Sequence, residues 1–253
     1  MKIIFGPIIA LFVLFVIFAP IERMFALHKE QKIFRKGWRT DILHFFFNRF
    51  LIDIGSFIAV VVLAVSFYWM VSPDLQAAVA AQPFVFQFIE AVLIVNLAGY
   101  FAHRLAHTVP FLWKFHSVHH SSAELDWLAS ARLHPFDQIF LRSMMFVPLY
   151  VLGFTKEVFG VYIFLALAQG IFNHSNVRFR FGFLKWIITT PEYHHWHHSN
   201  DPEARNKNFA GQLPVLDMLF GTIYLPENKR PETYGTSDPI PNGYLAQLRY
   251  PFH

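Results

Sequence analysis

The sequence predicts an all-α integral membrane helical bundle that carries a histidine-rich helical cap on its cytoplasmic side. Two observations carry this expectation. Uncharged apolar runs occupy most of the first hundred residues, and 11 of the 14 histidines fall between His103 and His198. The composition agrees, with 55% hydrophobic residues, 15% charged residues and 31 phenylalanines in 253 positions. A water-soluble fold of this size has too little interior for so many aromatic rings, whereas a bilayer solvates them.

The spans follow in order. Ile3 to Ile21 is an uncharged apolar run close to the ~20 residues that a helix needs to cross the hydrocarbon core. A cleaved signal peptide is the alternative, but the run is long, lacks an A-x-A site and is followed by further apolar runs. Glu22 to Asp53 then carries Arg23, Lys29, Lys32, Arg35, Lys36, Arg39 and Arg49. Ile54 to Ser72 is the second run. The loop after it, Pro73 to Pro83, has no lysine or arginine and only Asp74. Phe84 to Ala102 is the third run, interrupted by Gln87, Glu90 and Asn96. The positive-inside rule puts the basic loop in the cytoplasm, so the third span re-enters the cytoplasm near His103. A second apolar hairpin, Ser143 to Phe154 and Val158 to Phe172, has arms short for full crossings, and is either a tilted pair or a re-entrant element returning near Asn173. Three regions are expected: 1–102 with the membrane helices and basic loop, 103–225 with the histidines and second hairpin, and 226–253 as a polar cytoplasmic tail.

Charge and cysteine content exclude several functions. A net charge of +4 would suit nucleic acid, but no RNP, zinc-finger or helix-turn-helix pattern is present, and the basic residues flank apolar runs. Anionic lipid headgroups suit them better. With no cysteine, disulfides, thiolate-held zinc, Fe–S clusters and covalent c-type haem are excluded. Any metal must be held by histidine, carboxylate or carbonyl groups.

The histidine spacing indicates such a metal. His103 and His107 stand at i, i+4; His116, His119 and His120 at i, i+3, i+4; and His194, His197 and His198 repeat that pattern, with His195 as an extra member. On helices each set projects from one face, so eight imidazoles from three stretches can converge on a pair of metal ions. Zinc proteolysis is disfavoured because no H-E-x-x-H string is present, and carboxylate-bridged di-iron bundles match poorly because they use Glu-x-x-His repeats. A zinc hydrolase on the same histidines, or a metal transporter or sensor, stays open at this point, although transporters place ligands at the bilayer midplane rather than beyond helix ends.

The order H-x3-H, H-x2-H-H, H-x2-H-H, together with Arg132-Leu-His-Pro135, Phe172-Asn-His-Ser-Asn176, Thr190-Pro-Glu-Tyr-His194 and Asp217-Met-Leu-Phe-Gly-Thr222, resembles the fatty acid hydroxylase/sterol desaturase superfamily, in its bacterial branch. The resemblance covers Leu93 to Tyr224. It implies two iron ions (with zinc as a substitute in purified protein), O2 as co-substrate, and hydroxylation or desaturation of a membrane lipid, whether sterol, terpenoid or acyl-chain lipid. No cytochrome domain or flavin fingerprint is visible, so electrons should come from an external donor of ferredoxin or cytochrome type. The implied ligands are His103, His107, His116, His119, His120, His194, His197 and His198, with His174 and His134 added by position. His134 could instead cap a helix beside Pro135. Some relatives pair the histidine equivalent to His174 with another one turn away, whereas here Gly170 and Arg178 stand at those positions. His195 is expected beside the site rather than in it, and His28, His44 and His253 outside it. Asp126, Asp137, Asn173, Asn176 and Asp217 are the polar candidates for orienting the ligands. Phe84, Phe86, Phe88, Phe101, Phe111, Phe115, Phe164 and Phe172 are candidate walls of a substrate cavity. Glu90, an ionisable residue in a membrane run, is either functional or within reach of the far headgroups.

Overall fold

Apolar sequence long enough to span a bilayer dictates the first half of the architecture. The structure is a computed structural model that describes residues 2–253, with side chains from Phe5 onward. Helix α1 (Lys2–Met24) is almost wholly unpartnered within the chain, with Phe12 66% exposed, as expected of a helix whose solvent is lipid. Helices α2 (Trp38–Leu43) and α3 (Arg49–Phe67) are joined by a π turn at His44–Asn48 into one helical run, Trp38–Met70, of 33 residues. This run begins 16 residues before the predicted second span at Ile54, so Arg39 and Arg49 lie on helix rather than in a loop. Short helix α4 (Pro73–Ala80) leads to α5 (Phe84–Thr108), about 37 Å long, which continues past the predicted Ala102 end and carries His103 and His107. By length and composition α1, the α2–α3 run and α5 are long and apolar enough to cross a membrane.

The rest of the chain folds onto these spans. Helix α6 (Pro110–His120) follows α5 directly, and the hairpin arms are α7 (Pro135–Leu152) and α8 (Lys156–His174), each longer than its apolar run. Helices α9 (Pro191–His197), α10 (Val215–Leu219) and α11 (Tyr244–Arg249) complete an all-α molecule with no strand among the described residues. Helix α7 packs along both α3 and α5. Gly55 allows the close approach, because a Cβ there would collide with the Ile139 side chain. Gly153, at φ +85°, ends α7 in the left-handed conformation, and a Cβ would sit 2.9 Å from the Gln76 carbonyl oxygen. Val79, Ala91, Val95, Leu149, Phe154, Val158 and Tyr162 form an apolar core between α4, α5, α7 and α8, at the end of the bundle remote from the histidines.

At the other end, charge replaces apolar packing. Arg35 Nη2 donates to Asp41 Oδ2 (2.6 Å) and Asp126 Oδ1 (2.7 Å), while Arg132 Nε donates to Asp41 Oδ1 (2.6 Å). All four side chains are buried. Two guanidinium groups and two carboxylates neutralise one another and tie the loop before α2 to the 3-10 turn Trp127–Ala131. The segment expected as a polar tail also joins the fold. Tyr234 Oη lies 2.9 Å from His28 Nε2 and 2.8 Å from His195 Nδ1, Tyr244 Oη donates to Asn48, and His44 Nε2 donates to Gln247. Tyr234, Tyr244 and Gln247 are thus partners for buried groups, while Glu227, Lys229, Ser237 and Asp238 of the same segment stay exposed.

Removing Asp41 leaves the buried Arg132 guanidinium without its carboxylate. Asp41→Ala is expected to cost about 3–5 kcal/mol, read as a lower unfolding midpoint in detergent. An unchanged midpoint would show that the quartet does not hold the cap.

Candidate metal centre

Four elements bring the histidines together, each for a local reason. Helix α5 places His103 and His107 one turn apart on a single face. Helix α6 starts at Pro110, whose fixed φ suits a first turn, and ends on His116, His119 and His120. Helix α9 has Thr190 as its cap, the side chain accepting from the Tyr193 N–H, and Pro191 in its first turn. That start sets the register that aims His194, His197 and the C-terminal His198 inward and His195 outward. His174 is the last residue of α8.

Two adjoining groups result. His103, His107, His116, His120 and His197 form one, and His119, His174, His194 and His198 the other; within each, the ligating nitrogens lie within 4.8 Å of one another. The groups meet where the His120 and His198 rings stack at 4.2 Å.

Behind the rings stand hydrogen-bond acceptors. His103 Nδ1–H donates to the Phe209 carbonyl (2.7 Å), His116 to Asp137 Oδ1 (3.1 Å), His119 to the Arg132 carbonyl (3.0 Å), His174 to the Gly170 carbonyl (2.7 Å) and His197 to the Lys207 carbonyl (3.0 Å). An acceptor at Nδ1 holds the proton there and leaves Nε2 as a bare lone pair. Yet His103 and His116 face each other Nε2 to Nε2 at 3.1 Å, and His119 and His174 at 3.3 Å. With both protons committed elsewhere, neither pair has a hydrogen to share. The Nε2 atoms of His107, His120 and His197 are buried without a hydrogen-bond partner among the described residues. Lone pairs converging in this way are unfavourable unless a cation lies between them, so the residues fit a metal in each group.

Burial first, then repulsion among neighbouring rings, holds His119, His120, His194, His197 and His198 well below the usual imidazole value. All five are neutral at pH 7, the form that ligates.

The other expected residues divide clearly. His134 stands outside both groups. Its Nδ1 accepts from the Phe136 N–H and its Nε2–H donates to the Leu248 carbonyl, so it caps α7, the alternative suggested by Pro135. His195 is fully buried but turned away, with Nε2–H donating to the Ser175 carbonyl and Nδ1 accepting from Tyr234, and burial lowers it to about 3. Asp137 contacts a histidine directly. Asp217 acts one step back: it accepts from the Phe209 and Ala210 N–H groups, Thr222 and Tyr193, and so fixes the loop whose Phe209 carbonyl orients His103. Asp126 pairs with Arg35, Asn173 donates to Thr189 and Asn176 braces the His28 backbone; none of these three is bonded to a clustered imidazole. Phe84, Phe86, Phe101, Phe111 and Phe164 are exposed on the outside of the bundle rather than lining the site. The aromatic ring that does lie against His103 and His107 is Phe209, which the phenylalanine pattern did not single out.

The shifted histidines set a pH dependence for the metal-free protein. Their folded-state values are lowered, so below 6.5 the unfolded chain binds more protons than the folded one. The stability that the neutral rings contribute is therefore full above about 6.5 and declines as pH falls from there toward the lowered folded-state values. Thermal unfolding of metal-free protein in detergent should show a midpoint that declines as pH falls from about 6.5 to about 5; a midpoint rising over that interval would contradict the buried neutral rings.

Comparison with known proteins agrees with this geometry. Residues 88–222 match the model of the fatty acid hydroxylase family. The chain is 36% identical to the ornithine lipid hydroxylase of Rhizobium tropici over 170 residues, which is 67% of this chain and 51% of that one. It is 34% identical to the alkylglycerol monooxygenase of Xenopus tropicalis, over 58% of this chain and 32% of that one, and 33% identical to that of Homo sapiens, over 64% and 35%. The chain spans about half the length, or less, of these curated relatives. No solved structure matches it. Because the matched segment covers more than half of the chain and encloses every histidine of both groups, the protein belongs to the fatty acid hydroxylase family.

Proposed function

We propose that this protein is an O2-dependent oxidoreductase of membrane lipids whose two histidine groups each hold one iron ion. The observation that carries the reading is the pair of adjoining groups, five imidazoles and four, with lone pairs converging on two points. Two iron ions held there would supply the activation of O2 and the oxidant for an unactivated C–H bond. Zinc suits the same donors and would occupy them in protein purified without iron.

The chain's own residues do the remaining work. The carbonyls of Phe209, Arg132, Gly170 and Lys207 and the Asp137 carboxylate keep the rings oriented, each holding a proton at Nδ1. Helices α5 and α8 connect the centre to the bilayer, from which a lipid substrate is drawn. The basic residues between α1 and α3 favour a cytoplasmic position for the histidines by the positive-inside rule. Electrons come from a separate one-electron carrier of ferredoxin or cytochrome type.

Between the two outcomes of C–H oxidation, hydroxylation is favoured. The relatives described above are named a lipid hydroxylase and alkylglycerol monooxygenases, and both names specify oxygen insertion into a chain-bearing polar lipid rather than a sterol or terpenoid. Hydroxylation consumes O2, two electrons and two protons, and returns one water with one oxygen placed on the substrate carbon.

Three measurements test this. Lipids extracted from cells with and without the gene should differ by a species heavier by one oxygen; a species lighter by two hydrogens would indicate desaturation, and no difference in oxygen's presence would remove the oxidative reading. His119→Ala and His197→Ala should each lower bound metal from two ions per chain and abolish product, while His134→Ala keeps both ions. Metal retained at full level in His119→Ala and His197→Ala would show that the groups are not the ligands. Purified protein with O2 and lipid should turn over at most once without an added reductant; sustained turnover would contradict the external donor.

A further inference from the structure

A polar cavity of about 240 Å³ lies against one histidine group and not the other. His107, His120 and His197, all from the five-histidine group, line it together with Trp113, whose ring sits 5.0 Å from His107 and 5.5 Å from His120. The outer wall comes from two loops: Ser199–Asp201 with Arg205 and Asn206, and Gly235–Asp238 from the C-terminal segment. Asn200, Ser237 and Asp238 are exposed, so the cavity opens to water. His119, His174, His194 and His198 do not line it.

Size and chemistry restrict what enters. At ~30 Å³ per water the volume is about eight waters, below the ~300–1,000 Å³ typical of sites that enclose a whole organic ligand. An alkyl chain gains nothing among serine, asparagine, threonine and carboxylate groups. The exposed apolar side chains of the cap, among them Phe183, Trp186, Ile188 and Leu219, lie on other segments, the turn Gly182–Trp186 with its following residues and α10. Asp201 and Asp238 against the single Arg205 give the mouth a modest negative balance, which draws cations in and still admits small neutral or singly charged ligands. The three imidazoles at its inner end present buried Nε2 atoms without a partner among the described residues.

We propose that this cavity is the aqueous port of the centre: a binding site for small hydrophilic ligands at the five-histidine position, and the route by which that position exchanges its metal. The four-histidine position is closed on this side, and its metal exchanges only when the cap opens. The inference rests on the reading of the nine histidines as ligands.

The test uses full-length protein in detergent loaded with two zinc ions per chain and challenged with EDTA, following zinc per chain by mass spectrometry. One equivalent should leave about tenfold faster than the other, since the shielded ion waits for local opening. Ser237→Trp, and independently Asn200→Trp on the facing wall, should slow the fast phase and leave the slow phase alone. In iron-loaded protein, azide should produce a charge-transfer band that weakens in both variants. Release of both ions in a single phase overturns the port, as does wild-type release from filled variants that hold two ions. A variant that misfolds is recognised by its starting zinc content, and the wild-type phases still decide. Failure of the wild type to hold two ions overturns the underlying ligand assignment instead.

Discussion

The acceptors that stand behind five of the nine clustered imidazoles are the constraint on which the rest of this structure depends. An imidazole in water is free to carry its proton on either nitrogen. Here backbone carbonyls at Phe209, Arg132, Gly170 and Lys207, and one carboxylate at Asp137, take that freedom away. The result is a set of lone pairs forced toward one another in a buried space, an arrangement that disfavours the metal-free protein and favours a cation. Much of the surrounding fold serves to keep those carbonyls in place. The Asp217 carboxylate, with four donors, holds the Phe209 loop; the Arg35–Asp41–Asp126–Arg132 quartet holds the turn that presents the Arg132 carbonyl.

The fold reconciles two solvents. Helices α1, α2–α3 and α5 expose apolar side chains all along their length, while the cap buries charge and neutral imidazole and presents polar loops. The histidine groups sit where these regimes meet, at the end of α5.

The C-terminal segment shows how composition misleads when partners are distant. Proline, glycine and charge between 226 and 253 read as a solvated tail, yet Tyr234, Tyr244 and Gln247 satisfy His28, His195, Asn48 and His44. His28 and His44 are outside the metal groups, as their positions suggested, but they are structural rather than idle. The ring chain His28–Tyr234–His195 links the loop after α1 to α9 through a residue more than thirty positions downstream of either helix end it stabilises.

Local patterns were legible because they depend on a single element. The spans followed from apolar run length, and the i, i+3, i+4 spacing of the histidines followed from helix periodicity, which is why the eight residues picked out by spacing stand together in the two groups, joined by His174, which the family resemblance alone had added. His134 shared a histidine's chemistry but not its neighbours, and a neighbouring proline already signalled a cap. What no local pattern encodes is which rings share a group: His119 and His120 are adjacent in sequence and belong to different ones. Nor does it encode the orienting carbonyls, since every residue carries one and only three-dimensional proximity selects Phe209, Arg132, Gly170 and Lys207. Side-chain type and spacing are written in the sequence and declare that a metal can be held; the tertiary structure alone decides how the rings divide, which way their protons point, and which of them line a cavity, because these depend on distances between segments that the chain order leaves free.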